Sequence, residues 1–297
     1  MSMTTKKAAE LWGISDRRIR LLCASGKIDG AELIGKTWYL PDNATKPVDG
    51  RIKTNSSYLE KIEELKKALD NKRPLTEGEL KRLNDEFIVE YTYNSNAIEG
   101  NTLTLRETAL VLKGLTIDQK PLKDHLEAIG HKEAFEYVIS LVEEKVELTE
   151  TIIKLIHSLV LANKPLDRGV YRKLPVFIAG AKHTPVQPFL IEPKMQELLE
   201  WYKNTNMDFI SKLAKFHIEF EGIHPFIDGN GRTGRLLVNL ELMKLGYPPI
   251  DIKYNDRLAY YNAFDSYHTK GDLKPMVKLF SKYIYERLVF YNNILEQ

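Results

Sequence analysis

The sequence predicts a mainly α-helical protein: a helical bundle over residues 58–297, a linker over 46–57, and a small domain in residues 1–45 that joins two short helices to a hairpin. Two observations carry this reading. From Tyr58 almost to the C-terminus, apolar residues recur at three- and four-residue spacing between stops rich in Gly and Pro. β-like runs are confined to residues 31–40 and 175–188. A chain of 297 residues with 43% hydrophobic content can bury one large core and still carry a small appended domain.

Composition narrows the setting. No run of eighteen apolar residues and no signal-like N-terminus is present, so neither a membrane contact nor export is expected, and the cytoplasm is the default location. Cys23 is the sole cysteine, which excludes an internal disulfide. The net charge of +2 is unevenly spread: residues 1–53 carry 10 Lys and Arg against 6 Asp and Glu, leaving 33 against 35 for the remainder. A nucleic-acid contact, if there is one, belongs to the N-terminal part.

Taken in order, residues 4–12 read as a helix with Ala8, Ala9 and Trp12 inward and Gly13 as its stop. Ser15 caps a second helix, ended by Gly26, with Arg17, Arg18 and Arg20 on one side and Ile19, Leu22 and Cys23 on the other. Strands at 31–34 and 37–40 flank the tight turn Gly35-Lys36. This pattern resembles the excisionase and MerR-like winged helix-turn-helix family over residues 3–42. The resemblance implies that the arginine-bearing helix enters the major groove, with Arg17, Arg18 and Arg20 as DNA contacts. A protein-interaction module that has kept the fold without the affinity remains open, because +4 is modest for a monomeric DNA binder.

Beyond the linker, a helix from Tyr58 to about Leu69 precedes the break at Lys72-Arg73-Pro74. Thr76 and Glu79 form a capping box for the next helix, which runs through Leu80, Leu83, Phe87 and Ile88 toward residue 100. Residues 104–114, 122–142 and 149–162 read as three more helices. His125, His131 and His157 on them are assigned to packing or capping. The closing helices begin near Tyr260 and Pro275.

The densest chemistry lies at His224-Pro225-Phe226-Ile227-Asp228-Gly229-Asn230-Gly231-Arg232-Thr233-Gly234-Arg235. An apolar helix containing Ile210, Leu213, Ala214, Phe216, Ile218 and Phe220 leads in. A helix apolar on nearly every side follows, and so is expected at the centre of the bundle. Gly229-Asn230-Gly231 lets backbone N–H groups converge into an anion nest. The helix expected to start near Arg232 adds its positive end, and Arg232 and Arg235 add two guanidinium forks. His224 can accept a hydroxyl proton near neutral pH, and Asp228 offers a hard oxygen for Mg²⁺. A base, a metal ligand and a phosphate nest suit nucleotidyl or phosphoryl transfer.

This run resembles the Fic signature, His-x-Phe-x-(Asp/Glu)-Gly-Asn-Gly-Arg-x-x-Arg, at every specified position. The resemblance implies a Fic-type helical bundle with a β-hairpin flap, and transfer of AMP from ATP to a Ser, Thr or Tyr hydroxyl of a target protein. It makes His224 the general base and Asp228 the Mg²⁺ ligand. Gly229, Asn230, Gly231 and Arg232 become the phosphate cradle, with Thr233 and Gly234 completing the nucleotide-binding run. Arg235 becomes the γ-phosphate anchor, and Phe226 pins the loop in the core.

Three further segments carry the resemblance. Ser95-Asn96-Ala97-Ile98-Glu99-Gly100 resembles the family's inhibitory motif on a helix near 86–100, which implies that Glu99, with Ser95, occupies Arg235 in place of phosphate. Residues 175–188 resemble the flap, with Ile178, Ala179 and Gly180 at the nucleotide and main-chain pairing for the target. Tyr260 and Tyr261 stand where relatives stack near adenine and ribose, while His268 replaces an Asn of some relatives. The expected function is an adenylyltransferase inhibited in cis by Glu99. Two alternatives stay open: removal of AMP from modified proteins by the same site, and a DNA-binding regulator whose core senses nucleotide or modifies itself. A homodimer is compatible with the sequence.

Overall fold

The computed structural model describes residues 2–12, 15–24, 28, 30–35, 37–41, 44, 53–178 and 180–295. The chain divides into two compact units, Met1–Ser57 and Tyr58–Gln297. The first contains β1 (Ser2–Thr4), α1 (Thr5–Trp12), α2 (Asp16–Ala24), β2 (Glu32–Ile34) and β3 (Thr37–Pro41). β2 and β3 pair antiparallel with Ile34 opposite Thr37, and Gly35 turns at φ 65°. A strand not expected from sequence, β1, pairs with the other edge of β3, Met3 opposite Leu40. Three residues are too few to show a period. Met3, Ala8, Ile19, Cys23, Ile28 and Leu40 form this unit's core. Arg17 and Arg20 are exposed on α2, and Arg20 is ion-paired with Asp16. The Arg18 side chain, Gly13, Gly26, Lys36 and residues 46–52 of the expected linker lie outside the described residues.

The helices that follow are α3 (Lys53–Asp70), α4 (Glu77–Ile98), α5 (Leu105–Val111), α6 (Leu122–Glu143), α7 (Glu150–Val160), α8 (Ile191–Asn204), α9 (Phe209–Ile223), α10 (Asn230–Lys244), α11 (Arg257–Lys270) and α12 (Lys274–Ile294). α3 starts five residues before the expected position, inside the expected linker. The capping box of α4 forms as read, with the Thr76 side chain accepting from the Glu79 N–H. α8 was not anticipated, although Met195, Leu198 and Tyr202 give it a buried stripe. Among the described residues, no helix is long and apolar enough to cross a membrane.

α10 is the spine of this unit. Its Leu236, Leu237 and Leu240 enter one apolar cluster with residues of α4, α6, α7, α8 and α9. Its Val238 and Leu242 enter a second, with residues of α3, α9, α11 and α12. Covered on all sides, α10 has a fixed N-terminus, and whatever binds there meets preset donors.

The expected β-hairpin at 175–188 is corrected: among the described residues this segment forms no strand. A turn is present, with the Ala181 N–H on the Ile178 carbonyl at 3.2 Å and Gly180 at φ 80°. Pro175, Pro185 and Pro188 remove three ladder donors from the arms. The arms are joined at their base by Arg172, which donates to the carbonyls of Leu174 at 3.0 Å and Val186 at 2.6 Å.

Candidate functional site

α9 ends at His224, whose backbone is left-handed at φ 51° and ψ 61°. A non-glycine residue held there is strained by about 1 kcal/mol or more, which persists only where surrounding contacts impose it. Those contacts are visible. Arg172 donates from Nε to the His224 carbonyl at 2.7 Å and from Nη2 to the Ile223 carbonyl at 3.3 Å, while its own N–H donates to the Pro225 carbonyl at 2.9 Å. One buried guanidinium thus ties the His224 turn to both arms of the 175–188 segment.

The loop after His224 is pinned from inside. The Phe226 ring is fully buried and lies flat on His157, centroids 3.6 Å apart at 5°. The Gly169 N–H donates to His157 Nδ1 at 2.9 Å, so Nε2 carries the proton and donates to the Asp228 carbonyl at 2.9 Å. Burial lowers His157 to about 4, which keeps it in this neutral tautomer. The Asn230 side chain accepts from the Phe226 N–H and donates to the Phe226 carbonyl, both at 2.9 Å, closing the loop on itself.

α10 begins at Asn230, two residues earlier than expected, after Gly229 at φ 77°. No side chain caps it. Among the described residues the N–H groups of Asn230, Gly231 and Arg232 have no hydrogen-bond partner, and they stand at the positive end of the helix beside the cleft. The cleft is a cavity of about 720 Å³, lined among others by Glu99, Gly180, Glu221, His224, Asp228, Gly231 and Tyr261.

Glu99 fills the mouth of this helix. Its Oε1 accepts from Arg235 Nη2 at 2.8 Å and lies where a Cβ on residue 231 would stand, 2.1 Å away, so only glycine at 231 admits the carboxylate. Arg235 is buried and further fixed by Ser95: Nη2 donates to the Ser95 carbonyl at 2.8 Å and Nε to its hydroxyl at 3.0 Å. Burial alone would lower the Arg235 pKa; the Tyr260 hydroxyl and Glu99 carboxylate outweigh it and raise it. The cation is permanent.

On the other side of the loop, Asp228 accepts from Lys164 Nζ at 2.6 Å, from the Gly229 N–H at 2.6 Å and from Arg232 Nη2 at 3.1 Å. Burial raises the Asp228 pKa, but Lys164 and Arg232 more than offset it and bring it to about 2. Arg232 points away from Arg235: it is buried with the Glu127 carboxylate 3.3 Å from Nη1. The two forks expected side by side thus serve different neighbours.

His224 Nδ1 is buried and 3.9 Å from Glu221 Oε2, beyond a hydrogen bond, which leaves Nε2 as the nitrogen for the cleft. Burial lowers His224 to about 4, so the ring is neutral at physiological pH and can take a proton. Burial, reinforced by Glu99, lifts Glu221 to about 8.

The other expected site residues divide between the lining of the cleft, which includes Tyr260, and the interior of the bundle. Tyr260 is buried, its hydroxyl 2.6 Å from His217 Nε2. Thr233 is fully buried, and Gly234 packs on Glu221 and His217. Tyr261 is 45% exposed and donates to the Ile98 carbonyl at 2.8 Å, at the rim of the cleft. Ile178 and Gly180 line the cleft, while Ala179 lies outside the described residues. His268 stacks on His183 of the 175–188 segment, centroids 3.8 Å apart. His125 accepts from the Ile117 N–H and His131 pairs with Thr92, both packing roles.

The chain is similar to known proteins in sequence and in fold. The sequence profile described as the Fic/DOC family matches residues 147–242. "Protein adenylyltransferase Fic" of Nematostella vectensis is 34% identical over 253 residues, 80% of this chain and 58% of that protein. The protein of the same name from Drosophila yakuba is 34% identical over 71% of this chain and 44% of its own length. The chain thus spans about half the length of the curated relatives it matches. Fic-1 of C. elegans superimposes with a TM-score of 0.72 at 30% identity, covering 82% of this chain and 73% of that one. The crystal structure of a Fic domain containing signaling protein from Bacteroides thetaiotaomicron gives 0.71 at 30% identity, covering 80% of this chain and 97% of that one. With that coverage, and with the signature at the mouth of its central helix, the chain belongs to the Fic/DOC family.

Proposed function

We propose that this chain is a protein adenylyltransferase that uses ATP and is restrained in cis by Glu99. The supporting observation is the Glu99 carboxylate, bonded to Arg235 at 2.8 Å and seated over Gly231. An anion already rests where a phosphate would meet free N–H groups and a buried guanidinium. When Glu99 leaves, that position takes the γ-phosphate.

The target hydroxyl, of a Ser, Thr or Tyr, gives its proton to His224 as its oxygen attacks the α-phosphorus. A new P–O bond forms, the bond between the α-phosphorus and the bridging oxygen breaks, and pyrophosphate leaves. The left-handed turn at His224 aims the ring, and Arg172 holds that turn. Main chain of the 175–188 segment, which belongs to no sheet among the described residues, suits a target strand, and Phe177 there is 87% exposed.

A divalent cation fits at Asp228: a single carboxylate, ionised to about 2, lies in the cleft beside the anion position. Bound there, Mg²⁺ would neutralise charge on the phosphates. A second reading, release of AMP from modified proteins, is favoured by the presence of the Glu99 and His224 side chains in one cleft, where a carboxylate can orient water. The N-terminal unit is read as a winged helix-turn-helix with Arg17 and Arg20 toward DNA.

The test is intact-mass analysis of wild type, Glu99→Gly and His224→Ala after incubation with each nucleoside triphosphate and a protein substrate pool. Glu99→Gly is expected to label with ATP about tenfold or more above wild type. Adding His224→Ala should remove labelling by at least about a hundredfold. Equal labelling with and without His224 would sink the proposal.

A further inference from the structure

Asp228 has both oxygens engaged, by two kinds of partner. Oδ1 accepts from the Gly229 N–H and from Arg232 Nη2, groups within four residues that move with the loop. Oδ2 accepts from Lys164 Nζ at 2.6 Å, across 64 residues of chain, from the turn that follows α7. The Lys164 side chain is 38% exposed, so its ammonium can swing into water without disturbing the packing.

We propose that Lys164 is the resident cation of the Asp228 position and sets how much divalent cation is needed to occupy it. This rests on the reading of Asp228 as a cation ligand. An ammonium and a divalent ion cannot share Oδ2, because they would stand within about 4 Å, where like charges repel even at the effective dielectric of a protein surface. The competition is between cations. Protons take no part, since Asp228 is ionised throughout the neutral range.

A consequence follows for the resting protein. With Glu99 on the anion position and Lys164 on the cation position, both charges that a metal–nucleotide complex brings are already present as side chains. Entry of that complex must displace both. Arg232 does not act in this way: it is buried, with Glu127 3.3 Å from Nη1 and a hydrogen bond from Nη2 to Asp228, and it remains when Lys164 leaves.

The test is Mn²⁺ binding to the nucleotide-free full chain, followed by the electron paramagnetic resonance of free Mn²⁺, for wild type, Lys164→Met, Lys164→Arg and Asp228→Ala. Lys164→Met should tighten the dissociation constant by about fivefold, the upper range of a partly exposed ion pair. Lys164→Arg should not tighten it, and Asp228→Ala should lose the site. In a Glu99→Gly background, Lys164→Met should also lower the Mn²⁺ concentration for half-maximal labelling by a similar factor. Unchanged or weaker binding in Lys164→Met, with Asp228→Ala still losing the site, overturns the role of Lys164 alone. Undiminished binding in Asp228→Ala overturns it together with the ligand reading beneath it.

Discussion

The two ion pairs at the mouth of α10 are built with opposite halves fixed. In Arg235–Glu99 the cation is buried and held by Ser95, while the carboxylate is 35% exposed at the end of α4. In Asp228–Lys164 both side chains are about equally exposed, 33% and 38%, but the carboxylate is held by its own loop and by Arg232, while the ammonium comes from a distant turn. The fixed half of each pair belongs to the site, and the movable half is a stand-in for what the site receives. An anion is expected on Arg235 and a cation on Asp228.

Stability measurements can break that comparison, and the largest effect belongs to the buried half. Arg235→Met strips Ser95 and Glu99 of their partner and is expected to cost about 3 kcal/mol by urea unfolding, the usual loss when one member of a buried pair is removed. Glu99→Gln and Lys164→Met should each cost less than about 1 kcal/mol, as exposed partners do. Equal losses for both halves of either pair would mean that neither is a stand-in.

A smaller effect is carried by pH. His157 and His224 are held near 4 and His217 near 3, chiefly by burial. Unfolded histidine titrates near 6.5, so the unfolded state takes up protons first on acidification. Their contribution is complete above about pH 6.5 and is lost as the pH falls through the folded values. Glu221 acts in the other direction: raised to about 8, it stabilises fully below the ordinary carboxyl value of 4.5, loses that contribution as pH rises from there, and has lost it by about 8. The urea midpoint should decline steadily from about pH 6.5 to 4, and more gently from about pH 6.5 to 8, levelling off above about 8. Glu221→Gln should flatten the limb above about pH 6.5.

What was legible in the sequence follows from how local each cause is. Residues 224–235 could be read because loop, helix start and polar groups lie within twelve consecutive positions, and the Gly229 turn is dictated by its own residue type. Most helices could be read from spacing and caps, as with Thr76 and Glu79. The fold's dependence on Lys164, His157 and Arg172 could not, because each acts across 52 to 71 residues through a backbone carbonyl or a single carboxylate. Carbonyl acceptors leave no mark on residue type. The 175–188 segment reads as β-like by residue type and as a hairpin only by the resemblance to the flap, yet its prolines and Arg172 hold the arms without a ladder. Tyr260 is placed near the nucleotide only by the resemblance; it lines the cleft, and its hydroxyl joins His217 to Arg235, a link that residue type does not announce.

The most direct measurement is a crystal structure of Glu99→Gly with a non-hydrolysable ATP analogue and Mn²⁺. A γ-phosphate within hydrogen-bond distance of the Arg235 guanidinium and of the first N–H groups of α10, with Mn²⁺ on Asp228 and Lys164 turned to solvent, is the predicted result. A triphosphate bound away from Arg235, with that guanidinium still satisfied by Ser95 alone and Lys164 still on Asp228, would contradict it.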